Sequence, residues 1–71
     1  MAEIDKIPVE RFVAVMRQNA HLVRVDIEGN DVIVRKDSII KDIYSFEDGF
    51  INRKFVLRAA NKFGVSTHLF F

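Results

Sequence analysis

Polar and apolar residues change period several times along this chain. From Val9 to Ala20 the apolar positions Val9, Phe12, Val13, Met16 and Ala20 recur at helical spacing and form one stripe, with Arg11, Arg17 and Gln18 opposite. Pro8 suits the first turn of such a helix, where its missing N–H costs nothing. Glu10 then lies near the positive end of the helix dipole. Between Leu22 and Lys36 the period shortens. Val23, Val25 and Ile27 alternate with Arg24, Asp26 and Glu28; Gly29-Asn30 interrupts; Val32 and Val34 resume the alternation. A glycine in the first central position of a two-residue turn predicts a β-hairpin. The register follows: Ile27 faces Val32, and Val25 faces Val34, on the face turned to the first helix. Leu22, Arg24, Asp26, Ile33 and Arg35 fall on the other face.

The stretch from Asp37 to Gly49 carries two patterns. Ile39, Ile40, Ile43 and Tyr44 fit a short helix capped by Asp37 or Ser38, and this reading is preferred here. The same residues are rich in β-branched and aromatic types that suit a third strand. Glu47-Asp48-Gly49 reads as a loop in either case. From Phe50 to Phe63 helical spacing returns, with Phe55, Val56, Ala59, Ala60 and Phe63 on one arc and Lys54, Arg58, Asn61 and Lys62 on the other. Arg53 lies toward the edge of the apolar side. Gly64 is a natural helix stop. Val65, Thr67, Leu69 and Phe71 then alternate with Ser66, His68 and Phe70, which predicts a last strand joining the hairpin. The expected fold is α+β: helix, hairpin, ambiguous element, helix and C-terminal strand, with the helices on one face of a small antiparallel sheet. One domain spans residues 1–71.

Composition bounds the function. A chain of 71 residues has little room for both a core and a deep substrate cleft. It contains no cysteine, so disulfides and thiolate metal sites are excluded, yet 49% of it is hydrophobic and seven residues are Phe. No apolar run reaches the length of a membrane span. The acidic start, Met1-Ala2-Glu3-Ile4-Asp5, differs from the basic start of a secretory leader. These features lead to the expectation of a cytoplasmic protein, or one of the host cytoplasm if the chain is viral.

Charge placement carries the strongest functional signal. The net charge is only +1, but no acidic residue follows Phe50, whereas Arg53, Lys54, Arg58, Lys62 and His68 do. Lys54, Arg58 and Lys62 are spaced one helical turn apart with no glutamate to neutralise them. Such a stripe suits a phosphate backbone or an acidic protein, and it equally describes a solvated helix face. Arg24 and Arg35 are expected as cross-strand neighbours. Unless Asp26 compensates them, the pair is an anion site. Chemistry is poorly served. His21 and His68 lack partners at metal-ligand spacing, there is no glycine-rich phosphate loop, and Ser38, Ser45 and Ser66 lack a nearby base. No catalytic residue, metal or cofactor is expected.

The segment Ala59-Ala60-Asn61-Lys62-Phe63-Gly64-Val65-Ser66 resembles the middle of a helix-turn-helix. The resemblance covers Ala60, Gly64, Val65 and Ser66, but only five residues follow, too few for a helix that reads a major groove. If Ile39 to Phe46 is a strand, the order α-β-β-β-α resembles a double-stranded-RNA-binding domain. Arg53, Lys54, Arg58, Ala59 and Ala60 loosely match its last helix. Its long basic loop has no counterpart, since Gly29-Asn30 is flanked by Glu28 and Asp31.

The expected function is a non-enzymatic binding module for an anionic partner, foremost nucleic acid, held by Lys54, Arg58 and Lys62 with Arg53 and Asn61 assisting, and extended by Arg24 and Arg35 only if the outer face of the sheet adjoins the helix. The alternative is a protein-interaction module, such as a small phage or plasmid factor that blocks a host protein. Ile33, Phe46, Phe50, Phe70 and Phe71 exceed what one small core needs, and are expected to form a homodimer or partner interface.

Overall fold

The structure, a computed structural model, describes residues 5–71. The acidic start at residues 1–4 lies outside them. The chain runs β1 (Lys6–Pro8), α1 (Val9–Asn19), β2 (Arg24–Glu28), β3 (Asp31–Lys36), β4 (Ile39–Glu47), β5 (Phe50–Asn52) and α2 (Arg53–Phe63), and ends in a 3-10 turn at Thr67–Leu69. The strands form one antiparallel sheet in the order β1-β5-β4-β3-β2, and with two helices the fold is α+β.

The β2–β3 hairpin has the register the alternation predicts, with Ile27 opposite Val32 and Val25 opposite Val34. Val25, Val32 and Val34 are buried, but Ile27 is 44% exposed, where it lines an open hollow with Glu10, Ala14 and Arg17 of α1. Gly29 takes the turn with φ of 62°.

The Asp37–Gly49 stretch is the main correction. It is not a short helix but β4, the longest strand, paired with β3 from Lys36↔Ile39 to Asp31↔Ser45. Asp37 and Ser38 are not caps; both adopt the left-handed conformation, with φ of 55° and 67°, and make a two-residue hairpin turn. Asp48 and Gly49 do the same at 52° and 79°, turning β4 into β5. Asp-Gly between strand-forming residues is a strong hairpin signal that helical spacing had masked. Cross-strand pairing with β3 decided the conflict, since isoleucine and tyrosine gain more on a pleated surface than in a short isolated helix.

The short strands at the other end also depart from the expectation. Residues 50–52 are not the first turn of a helix but β5, sandwiched between β4 and β1. The tail is not a strand either. After Gly64 closes α2 with φ of 69°, Ser66 and Thr67 carbonyls accept from Leu69 and Phe70 amides and wind the chain into the 3-10 turn. This turn carries Phe70 into the core, where it stacks on Phe12 at 5.5 Å.

Both helices lie on one face of the sheet. Their buried residues join Ile7, Val25, Val32, Val34, Tyr44 and Ile51 in a single cluster. Phe12 is its hub, packing edge-on against Tyr44 at 5.7 Å as well as against Phe70. Among the described residues no helix covers the opposite face of the sheet.

Candidate functional site

α2 begins at Asn52, whose Oδ1 accepts the Lys54 amide at 3.0 Å. Val56, Ala59 and Ala60 are buried, Phe55 and Phe63 half-buried. That orientation turns Lys54, Arg58, Asn61 and Lys62 outward, as the wheel requires. The helix carries no acidic residue in its first turn, so the Lys54 charge opposes the dipole rather than complementing it.

The cations of the stripe differ in how they are held. Lys54 Nζ lies 5.3 Å from the centre of the Phe55 ring, and Phe55 in turn packs on Tyr44. Arg58 sits beside it, and the two line a shallow hollow with Phe55. Among the described residues neither makes an ion pair. Lys62 is engaged: its Nζ donates to the Lys41 carbonyl at 2.6 Å and lies 3.5 Å from Asp42 Oδ2. These contacts bring the β4 backbone at Lys41 beside the end of the helix. Arg53 is half-buried and holds its guanidinium 4.9 Å from the Phe71 ring.

Asp42 gives this corner its electrostatics. Partial burial raises its pKa, but the nearby Tyr44 hydroxyl, the hydrogen bond from the Ile43 amide and the Lys62 charge outweigh that and hold the carboxyl below its ordinary value. Tyr44 shifts the other way: burial, then the neighbouring Asp42 carboxylate, push its phenol well above the usual range. The hydroxyl is buried beside Asp42 without a well-aligned hydrogen bond, so the coupling between them is chiefly one of proximity.

Arg24 and Arg35 do face each other across the β2–β3 pair. Asp26 compensates them, at 2.9 Å from Arg24 and 3.5 Å from Arg35, and Glu28 adds a contact at 3.1 Å to Arg35. They lie on the sheet face away from the helices, so they do not extend the α2 stripe. The expected interface residues also fail to share a surface. Phe70 is fully buried and Ile33 is only 8% exposed. Phe46 and Phe71 are half-buried against the core. Phe50 remains exposed, with Lys6 over its ring at 5.1 Å. The surplus aromatic residues were needed because the tail folds back as a plug, a use that alternation in the sequence does not reveal.

Among the described residues no group of histidines and carboxylates has the arrangement of a metal site. Among the described residues no helix is long and apolar enough to cross a membrane. No known protein family, curated protein or solved structure matches this chain.

Proposed function

We propose that the protein is a binding module for an anionic polymer, foremost nucleic acid, and that α2 supplies the contact. The observation that supports this reading is the pair Lys54 and Arg58: exposed, one turn apart, on a helix without acidic residues, and with no carboxylate against either among the described residues. On the sheet, by contrast, Asp26 and Glu28 pair with Arg24 and Arg35. Lys54 and Arg58 make the phosphate contacts, Asn61 adds a neutral donor, and Lys62 lengthens the track. Asp42 reduces the Lys62 contribution, so the central contacts carry most of the binding.

An NMR titration with short DNA and RNA at two salt concentrations tests the reading. Amide shifts centred on residues 54–61, weakening with salt, are expected. Lys54→Gln with Arg58→Gln is expected to lower the log–log salt slope by about 2, near one unit per lost phosphate contact. No shifts with either polymer at low salt would remove the reading.

A second reading rests on the uncovered sheet face, where Ile40 and Ile43 are 49% and 46% exposed and Phe50 is 39% exposed. A protein partner there would bind with little salt dependence. A salt-insensitive interaction that survives the Lys54 and Arg58 substitutions would favour it.

A further inference from the structure

The longest strand in the sheet is left half open. β4 has nine residues, but β5 pairs only with its Phe46 and Glu47. From Ile39 to Ser45 no strand among the described residues lies on the side away from β3. Such an edge presents unpaired backbone groups and is a template for another strand.

The direction of those groups follows from the hairpins. Glu28 and Asp31 close the Gly29-Asn30 turn as the last pair, so Asp31, Ile33 and Arg35 bond toward β2 while Val32 and Val34 bond toward β4. Ile43 stands opposite Ile33, and its N–H and C=O therefore point to the open side. That N–H donates not to backbone but to Asp42 Oδ1, at 2.9 Å. One residue earlier, the register shifts between Val34↔Asp42 and Arg35↔Ile40, leaving Lys41 without a partner in β3. The Lys41 carbonyl accepts from Lys62 Nζ, which is itself within ion-pair distance of Asp42. The Ile43 amide, Asp42, Lys62 and the Lys41 carbonyl thus form a closed chain of contacts along the open edge.

We propose that Asp42 and Lys62 are a clasp that guards β4 against pairing with β4 of a second copy, and that this edge is a latent dimerisation surface. The occupant is argued from register. An antiparallel pair about a two-fold axis at Ile43 places Ile43 opposite itself, Asp42 opposite Tyr44 and Lys41 opposite Ser45 of the second copy. No like charges oppose each other, and Ile43, now 46% exposed, gains an apolar neighbour. With the clasp intact, the Ile43 amide and the Lys41 carbonyl are already taken. This inference is independent of the nucleic-acid reading, since it concerns the free protein.

Analytical ultracentrifugation of the full chain at neutral pH tests it. The unmodified protein is expected to sediment as a monomer. Asp42→Ala with Lys62→Ala is expected to associate at least tenfold more tightly, as a dimer. Adding Ile43→Glu, which sets like charges opposite each other, is expected to return the monomer. If the double variant does not fold, Lys62→Met alone, which keeps the aliphatic stem, is measured instead. A folded clasp variant that stays as monomeric as the parent would overturn the proposal. So would a parent that dimerises as tightly as the variant, or a dimer indifferent to Ile43→Glu.

Discussion

The two helices have the same length and opposite economies of charge. α1 spends its cations on contacts within the molecule, although both arginines are exposed. Arg17 Nε and Nη2 both donate to the Val25 carbonyl of β2, at 3.1 and 2.8 Å, and Arg11 Nη2 donates to the Phe71 carbonyl at 3.0 Å. α2 engages Lys62 in the same manner as Arg17, a last-turn cation reaching a strand carbonyl, but leaves Lys54 and Arg58 facing outward. The difference teaches that a basic residue on a helix does not by itself make a basic surface. What distinguishes them is whether a backbone carbonyl or carboxylate lies within reach of the tip.

The two edge contacts also differ in kind. Val25 belongs to a strand at the margin of the sheet, and its carbonyl points away from β3. Arg17 covers that single oxygen with a two-pronged contact. Lys62 covers one carbonyl too, but relies on Asp42 to hold it and to occupy the next amide. The first guard is a fork, the second a small network with an ionisable member.

The largest way to break the comparison is to remove the aromatic anchor of each helix. Phe12 is fully buried against Tyr44 and Phe70, so Phe12→Ala is expected to cost about 3–5 kcal/mol. Phe63 is only half-buried, and Phe63→Ala is expected to cost roughly half as much. Chemical denaturation of both variants measures this; equal losses would mean that α2 is anchored as deeply as α1. A smaller effect is expected from Arg17→Ala. Losing its contacts with the Val25 carbonyl costs about 1 kcal/mol, since the arginine is exposed and water replaces part of what is lost. The same denaturation experiment detects it, with no effect expected on nucleic-acid affinity.

The smallest and most selective effect comes from pH. Asp42 has a folded pKa below its ordinary value, so its ionised form stabilises the fold above the carboxylate range. That contribution is lost as pH falls through the folded pKa. Denaturation of the parent and Asp42→Asn from pH 6 down to about pH 2.5, on either side of the ordinary carboxylate pKa, is expected to show their stability difference shrinking only at the acid end. A difference independent of pH would mean that the carboxylate charge is not what holds Lys62. Arg17 needs no carboxylate, so its contribution should persist across the same range.

The legible parts of this molecule were those in which one pattern had no rival. The stripe from Val9 to Ala20 and the Gly29-Asn30 turn each point to a single element, and both stand as expected. The outward placement of Lys54, Arg58 and Asn61 followed from the apolar arc alone. Where patterns competed, the sequence misled. Ile39, Ile40, Ile43 and Tyr44 satisfy helical spacing, but an alternative signal, Asp48-Gly49, went unused because its partner strand was not recognised. Arg24 and Arg35 were placed correctly, while the closeness of Glu28 to Arg35 required coordinates.

Local covalent preference settled what the amino-acid order could settle: where the chain turns, which arc of each helix is apolar, and which residues oppose each other across a short hairpin. These depend on neighbours a few positions apart. Only the folded chain decided that the tail curls into a plug beneath Phe12, that β5 and β1 extend the sheet, and that Lys62 meets Asp42. Those contacts join residues tens of positions apart, and their energies exist only once the loops between them have closed.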